Sequence, residues 1–166
     1  MVREISSEVQ IVASPERVWS ILTEFSAYPA WNPLLRQVRG ELRPGHRLEV
    51  RLQRNDRSAM TFRPRVLVVE PARELRWLGR LGLPGLFDGE HVFSIRSDDQ
   101  GSVRFRQSET FRGLLVPFLW RGLQRDTAPR FERMNEALRR RVEEGPQGSL
   151  EMPAAGARER EKSPRD

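Results

Sequence analysis

Apolar positions recur along this chain with two periods, and the switches between them predict its elements. From Glu4 to Val12 the period is two: Ile5, Val9 and Ile11 fall on one side, and Glu4, Ser6, Glu8 and Gln10 on the other. That alternation predicts a half-buried strand. Ser14-Pro15-Glu16 then offers an N-cap hydroxyl, a proline at the first helical position and an acid in the first turn. Val18, Trp19, Leu22 and Phe25 supply the buried face of a helix ending near Ala27. Tyr28-Pro29-Ala30-Trp31-Asn32-Pro33 breaks the pattern and leaves room for a single short helical turn.

From Arg36 to Arg112 every segment reads as strand. Val38 and Leu42 mark the first, ended by Pro44-Gly45. Leu48, Val50 and Leu52 alternate with charged and polar neighbours up to a turn at Asn55-Asp56. Met60, Phe62, Val66 and Val68 then share one face of a single run, with Pro64 placing it at an edge or bulge. Leu75 and Trp77 follow, and then the apolar loop Gly82 to Gly89, in which Asp88-Gly89 reads as a turn. His91, Phe93 and Ile95 alternate into the last hairpin around residues 98–101. Val103, Phe105, Gln107, Glu109 and Phe111 share the inward face of the final strand.

The period returns to that of a helix from Pro117 to Glu144. Trp120, Leu123, Thr127, Phe131, Met134, Leu138 and Val142 form one stripe, and Arg125, Arg130, Arg133, Arg139, Arg140 and Arg141 form the opposite face. At ~1.5 Å per residue such a helix is about 40 Å long, slightly more than a ten-residue strand of about 33 Å. Pro129 predicts a kink, or two helices meeting near Ala128. Strands and helices are segregated, so the class is α+β with an antiparallel sheet curled round the last helix.

Composition narrows the function classes. A chain of 166 residues is read as one domain over 1–144, followed by a Gly-, Pro- and charge-rich tail over 145–166 that is expected to be disordered. The absence of cysteine excludes disulfide and thiolate chemistry. With no apolar signal core and no run of the ~20 residues that span a bilayer, the expectation is a soluble, cytoplasmic protein. Net charge is +6, almost all of it arginine scattered along strands. Phe62, Trp77, Phe93, Phe105 and Phe111 all fall inward, which leaves no outer stacking platform for bases and argues against nucleic acid. A solvated basic face is expected, with transient contact at an anionic membrane surface as the alternative.

The element order, with Ser14-Pro15-Glu16-Arg17-Val18-Trp19, Tyr28-Pro29-Ala30-Trp31-Asn32-Pro33, Gly89-Glu90-His91-Val92-Phe93, the run from Phe105 to Leu114 and the last helix, resembles the START/Bet v 1-like (SRPBCC) superfamily. Within it, the chain is most similar to the polyketide cyclase/dehydrase-like group, which includes proteins associated with carbon monoxide dehydrogenase. The resemblance covers residues 2 to 144. It implies a helix-grip fold with a cavity between sheet and last helix that holds a small hydrophobic molecule such as a lipid, isoprenoid or polyketide. No cofactor is implied.

The candidate site lies on the inward face of the last two strands. A carboxylate and an amide inside a core cost about 1–3 kcal/mol or more unless partnered. If residues 98–101 close a hairpin, same-face pairing sets His91 opposite Gln107 or Glu109. Three readings stand: His91, Gln107 and Glu109 as a self-satisfied network, as the anchor for a ligand's polar end, or as a proton-moving pair in which Glu109 orients His91. The third is the role that a cyclase or dehydratase requires. The candidate ligand-binding residues are Trp31, Phe62, Trp77, His91, Phe93, Phe105, Gln107, Glu109, Phe111 and Phe131, with His91 and Glu109 the catalytic candidates. Trp31 is a core anchor or a cavity-mouth residue. Leu83, Leu86 and Phe87 form a portal or membrane-touching tip, or an ordinary apolar loop. Two histidines, His46 and His91, with no ligand pair at helix or hairpin spacing, give no expectation of a metal. Oligomeric state is not legible.

Overall fold

A computed structural model describes residues 2–55, 58–98 and 101–144. The expected disordered tail, and part of the turn at Asn55-Asp56, lie outside the described residues. Eight strands and three α-helices follow in the order β1 (Val2–Ile11), α1 (Pro15–Thr23), α2 (Tyr28–Trp31), β2 (Leu35–Arg39), β3 (Glu49–Asn55), β4 (Ser58–Phe62), β5 (Arg65–Glu70), β6 (Glu74–Arg80), β7 (Asp88–Ser97), β8 (Val103–Arg112) and α3 (Val116–Glu144). Five strands form one antiparallel sheet in the order β1-β8-β7-β6-β5, and β2-β3-β4 form a second. Helix α3 closes the curved sheet along β1, which is the helix-grip architecture.

The first helix starts where the cap predicts. Ser14 Oγ accepts from the Arg17 N–H at 3.2 Å, and Val18, Ile21 and Leu22 are buried. Replacing Ser14 with alanine is expected to cost about 1 kcal/mol in urea unfolding, with the m-value unchanged. The helix stops at Thr23, earlier than Ala27. A 3-10 turn over Phe25–Ala27 takes up the difference before the short α2. Fully buried Tyr28 fixes this break: its hydroxyl donates to the Leu22 carbonyl, and burial pushes the phenol well above its usual pKa.

The run from Met60 to Val68 is two strands rather than one. The chain leaves the small sheet after Phe62 and enters the large one at Arg65, with Pro64 between. The proline cannot donate to a ladder, but its carbonyl accepts from Leu48 N–H at 3.0 Å, so it joins the two sheets. Met60 is consequently exposed, whereas Val66 is buried. The first meander strand is Leu35–Arg39, and Leu42 lies beyond it. Asp88 and Gly89 form no turn. They begin β7, paired with Arg80 and Gly79.

Pro129 does not divide α3, whose 29 residues run as one helix. The proline lies on the exposed face, where water can satisfy the carbonyl it leaves without a donor, and its own carbonyl accepts from Arg133 Nε at 3.3 Å. On the inward stripe Phe131, Met134, Leu138 and Val142 are buried, whereas Trp120, Leu123 and Thr127 are only half-buried.

Candidate functional site

The hairpin of β7 and β8 places the site. Its register pairs His91 with Glu109, Phe93 with Gln107, Ile95 with Phe105 and Gly89 with Phe111. On the other side of β7, Trp77 of β6 is the partner of His91. Period-two alternation therefore puts Trp77, His91, Phe93, Phe105, Gln107, Glu109 and Phe111 on one inward surface.

At the centre of that surface the space is filled. The Trp77 ring stacks on the His91 imidazole at 5.3 Å, Phe93 meets it edge-on at 4.5 Å, and Phe131 descends from α3 at 5.2 Å. Phe105 stacks behind Phe93 at 6.0 Å. Gln107 is fully buried, and its Nε2 lies 3.1 Å from His91 Nε2 and 3.5 Å from Met134 Sδ. Because the thioether is an acceptor, the amide nitrogen faces it, and the same nitrogen donates to His91 Nε2. The imidazole proton is then on Nδ1, which points at Glu109 Oε2 from 3.6 Å. Gln107 Oε1 is buried with no hydrogen-bond partner.

Glu109 is different in kind. Its side chain is 25% exposed, and its carboxylate faces His91 Nδ1 at 3.6 Å. Room for its carboxylate comes from Gly89: a Cβ there would stand 2.6 Å from Glu109 Oε1. The paired Gly79 is likewise bare, and the Phe62 ring from the second sheet lies over it, 3.7 Å from where a Cβ would be. Two facing glycines thus form a shallow floor, with a carboxylate over one and an aromatic ring over the other. Beyond Glu109, Phe111 packs on Phe87 at 5.6 Å, and Arg3 of β1, paired with Phe111, lies over Trp120 of α3 at 4.9 Å.

Nine of the ten candidate ligand-binding residues thus lie on this surface or reach it. Trp31 does not join them: it packs edge-on against Tyr28 at 5.1 Å, partly buried, with Nε1 unpartnered. Sequence reasoning missed two contributors. Met134 was legible as part of the α3 stripe but not as an acceptor for Gln107. Asn135 is buried and donates from Nδ2 to Ser7 Oγ at 3.1 Å, and the inward period of β1 through Ile5 and Val9 marks Ser7. Among the described residues no cluster of three or more His, Asp or Glu side chains is arranged to hold a metal.

A family model described as "Polyketide cyclase / dehydrase and lipid transport" matches residues 2–143. Comparison with curated proteins returns no match. Among solved structures, a START superfamily protein from Mycobacterium smegmatis is 23% identical with a TM-score of 0.67, covering 85% of this chain and 97% of that one. Truncated norcoclaurine synthase from Thalictrum flavum is 13% identical with a TM-score of 0.67, covering 87% and 96%. The Zhui aromatase/cyclase from Streptomyces sp. R1128 is 16% identical with a TM-score of 0.63, covering 86% and 96%. At these identities the likeness establishes the fold alone.

Proposed function

The chain belongs to the polyketide cyclase/dehydrase and lipid transport family, and from that premise we propose that it binds a small, largely apolar molecule between the sheet and the first half of α3, with Glu109 holding the ligand's polar end. One observation carries this reading. The inward stripe of α3 is buried from Phe131 onward, yet its continuation at Thr127, Leu123 and Trp120 is only half-buried. Apolar residues that face a sheet without being sealed by it mark where an apolar guest gains most from burial. Glu109 shares the inward face of β8 with Phe111, whose partner Arg3 lies over Trp120, and this supports placing the carboxylate beside that region.

The chemistry of the polar end follows from the carboxylate. A carboxylate accepts hydrogen bonds and donates none, so it favours a hydroxyl or amine over a second carboxylate. His91 and Gln107 act from beneath: Gln107 fixes the imidazole tautomer, and the Nδ1–H turned toward Glu109 orients the carboxylate.

The test is titration calorimetry with a medium-chain alcohol and the carboxylic acid of equal length. The alcohol is expected to bind more tightly. Glu109→Gln is expected to remove that preference, a change of about tenfold or more, since hydrogen bonds to charged groups contribute about 1.5–3 kcal/mol. A preference unchanged in Glu109→Gln, or no binding of either compound, defeats the proposal.

A second reading, proton transfer in a cyclase or dehydratase reaction, is favoured by the Nδ1–carboxylate contact alone. Under it Glu109, not His91, moves the proton. Both imidazole nitrogens are already directed at protein groups, and the ring is enclosed by Trp77, Phe93 and Phe131.

A further inference from the structure

Eight large hydrophobic side chains are exposed among the described residues, and six of them gather at one end of the molecule: Val2, Leu81, Leu83, Leu114, Phe118 and Leu119. Their proximity is fixed by backbone. The Leu114 N–H donates to the Gly85 carbonyl at 3.1 Å and the Leu115 N–H to the Leu86 carbonyl at 3.0 Å, which ties the 81–87 loop to the start of α3. Val2 is paired with Arg112 at the adjoining end of β1. Phe118 is 84% exposed, Leu114 76% and Leu83 75%. Phe87, from the same loop, is instead turned inward onto Phe111. Scattered single leucines are ordinary on a surface, but a gathered set on two adjoining tips is not.

Arginines outnumber the exposed acids around this end, where Glu4, beside Val2 on β1, is paired with Arg106. Arg80 and Arg112 flank the loop and Arg121 and Arg125 follow on α3, all of them exposed. Asp88 and Glu90, also near the patch, are half-buried and pair with Arg80 and Arg112 at 3.5 and 3.8 Å. The next exposed acid along α3, Asp126, is paired with Arg125 at 2.9 Å. Guanidinium groups therefore predominate around the protruding leucines and phenylalanine. We propose that this end docks on an anionic lipid bilayer, with Leu83, Leu114 and Phe118 entering the acyl boundary and Arg80, Arg112 and Arg121 meeting headgroup phosphates. The aliphatic tips suit a fluid apolar layer, and the arginines suit phosphate oxygens. The docking does not depend on the ligand reading, because it needs only the outer surface.

The experiment is co-sedimentation of the full chain, without added ligand, on phosphatidylcholine vesicles with and without phosphatidylglycerol. Wild type is expected to sediment with the anionic vesicles and far less with the neutral ones, and added salt is expected to release it. Leu83→Ser/Phe118→Ser is expected to weaken binding by about tenfold or more, since each buried CH2 contributes to the partition. Arg121→Glu is expected to weaken binding to anionic vesicles only, and Met60→Ser, an exposed apolar site on the second sheet, to leave it unchanged. Circular dichroism confirms that each variant is folded. The proposal is overturned if wild type binds neither vesicle, if the double variant binds like wild type, or if sedimentation equilibrium shows a dimer that the double variant abolishes. That last result would assign the patch to a second copy of the chain.

Discussion

Phe131→Ala is expected to lower the unfolding free energy by about 3–5 kcal/mol, the usual cost of truncating a buried phenylalanine. For a domain of ordinary stability, about 5–15 kcal/mol, that is a large fraction of the total. The ring is 2% exposed and descends from α3 edge-on to His91, at the place where the helix seals the sheet. No neighbour can collapse into the space, because Trp77 and Phe93 are already held against the imidazole at 5.3 and 4.5 Å. The loss therefore carries a cavity term as well as a transfer term. Urea unfolding measures it: the midpoint should fall with the m-value unchanged. Phe131→Leu separates volume from the site effect, and should recover most of the stability while leaving His91 without its edge-on aromatic partner. The His91 ring-proton shifts should then move in Phe131→Leu even where stability does not. Should Phe131→Ala cost under ~1 kcal/mol, the centre is not sealed by α3, and the ligand region would extend over His91.

Much of this surface was written in the sequence, for a reason confined to alternation. In β7 and β8 every second residue faces inward, so His91, Phe93, Phe105, Gln107, Glu109 and Phe111 could be assigned to one face without knowing any partner. The hairpin allowed two same-face registers, and the structure has the one opposing His91 and Glu109. Even so, the closest polar contact of His91 is the diagonal one to Gln107, because the Met134 sulfur orients that amide. Alternation could not show this, since it says nothing about the helix above. The β4–β5 segment failed for a related reason. Apolar spacing continues through Pro64 although the chain changes sheets there, and period alone does not say which sheet a strand joins. Asp88-Gly89 has the composition of a turn, but Gly89 serves inside a strand as space for a carboxylate.

The helical half of the exposed end was hidden in the sequence by arithmetic that was only half drawn, whereas the loop with Leu83 was legible as a candidate membrane-touching tip. Twenty-nine helical residues extend about 43 Å, whereas ten-residue strands extend about 33 Å. A helix that seals its sheet at Phe131 through Val142 must outrun it at the other end. Phe118 and Leu119 belong to that overhang, and in the sequence they look no different from their buried neighbours.

Gly113→Ala is expected to be the most damaging change at that overhang, costing about 3 kcal/mol or more. The residue has a φ of +131°, where an L side chain is strained by roughly 1–3 kcal/mol. A Cβ there would stand 2.5 Å from the Leu86 carbonyl oxygen and 2.9 Å from that of Gly85. Both obstacles are backbone, and the 81–87 loop can retreat only by breaking the hydrogen bonds that Leu114 and Leu115 donate to it, each contributing about 1 kcal/mol. Gly85→Ala is the control: its φ is also positive, at +81°, but nothing lies within 4 Å of a Cβ there. It should cost only the conformational strain of about 1–2 kcal/mol. Equal losses in the two variants would mean that the loop is not held against Gly113. If it is held, Gly113→Ala should separate the two tips that carry Leu83 and Phe118 and weaken vesicle binding more than its effect on the global fold explains. Gly85→Ala should leave vesicle binding unchanged. Hydrogen exchange at the Leu114 and Leu115 amides resolves the two cases, with protection lost in Gly113→Ala and retained in Gly85→Ala.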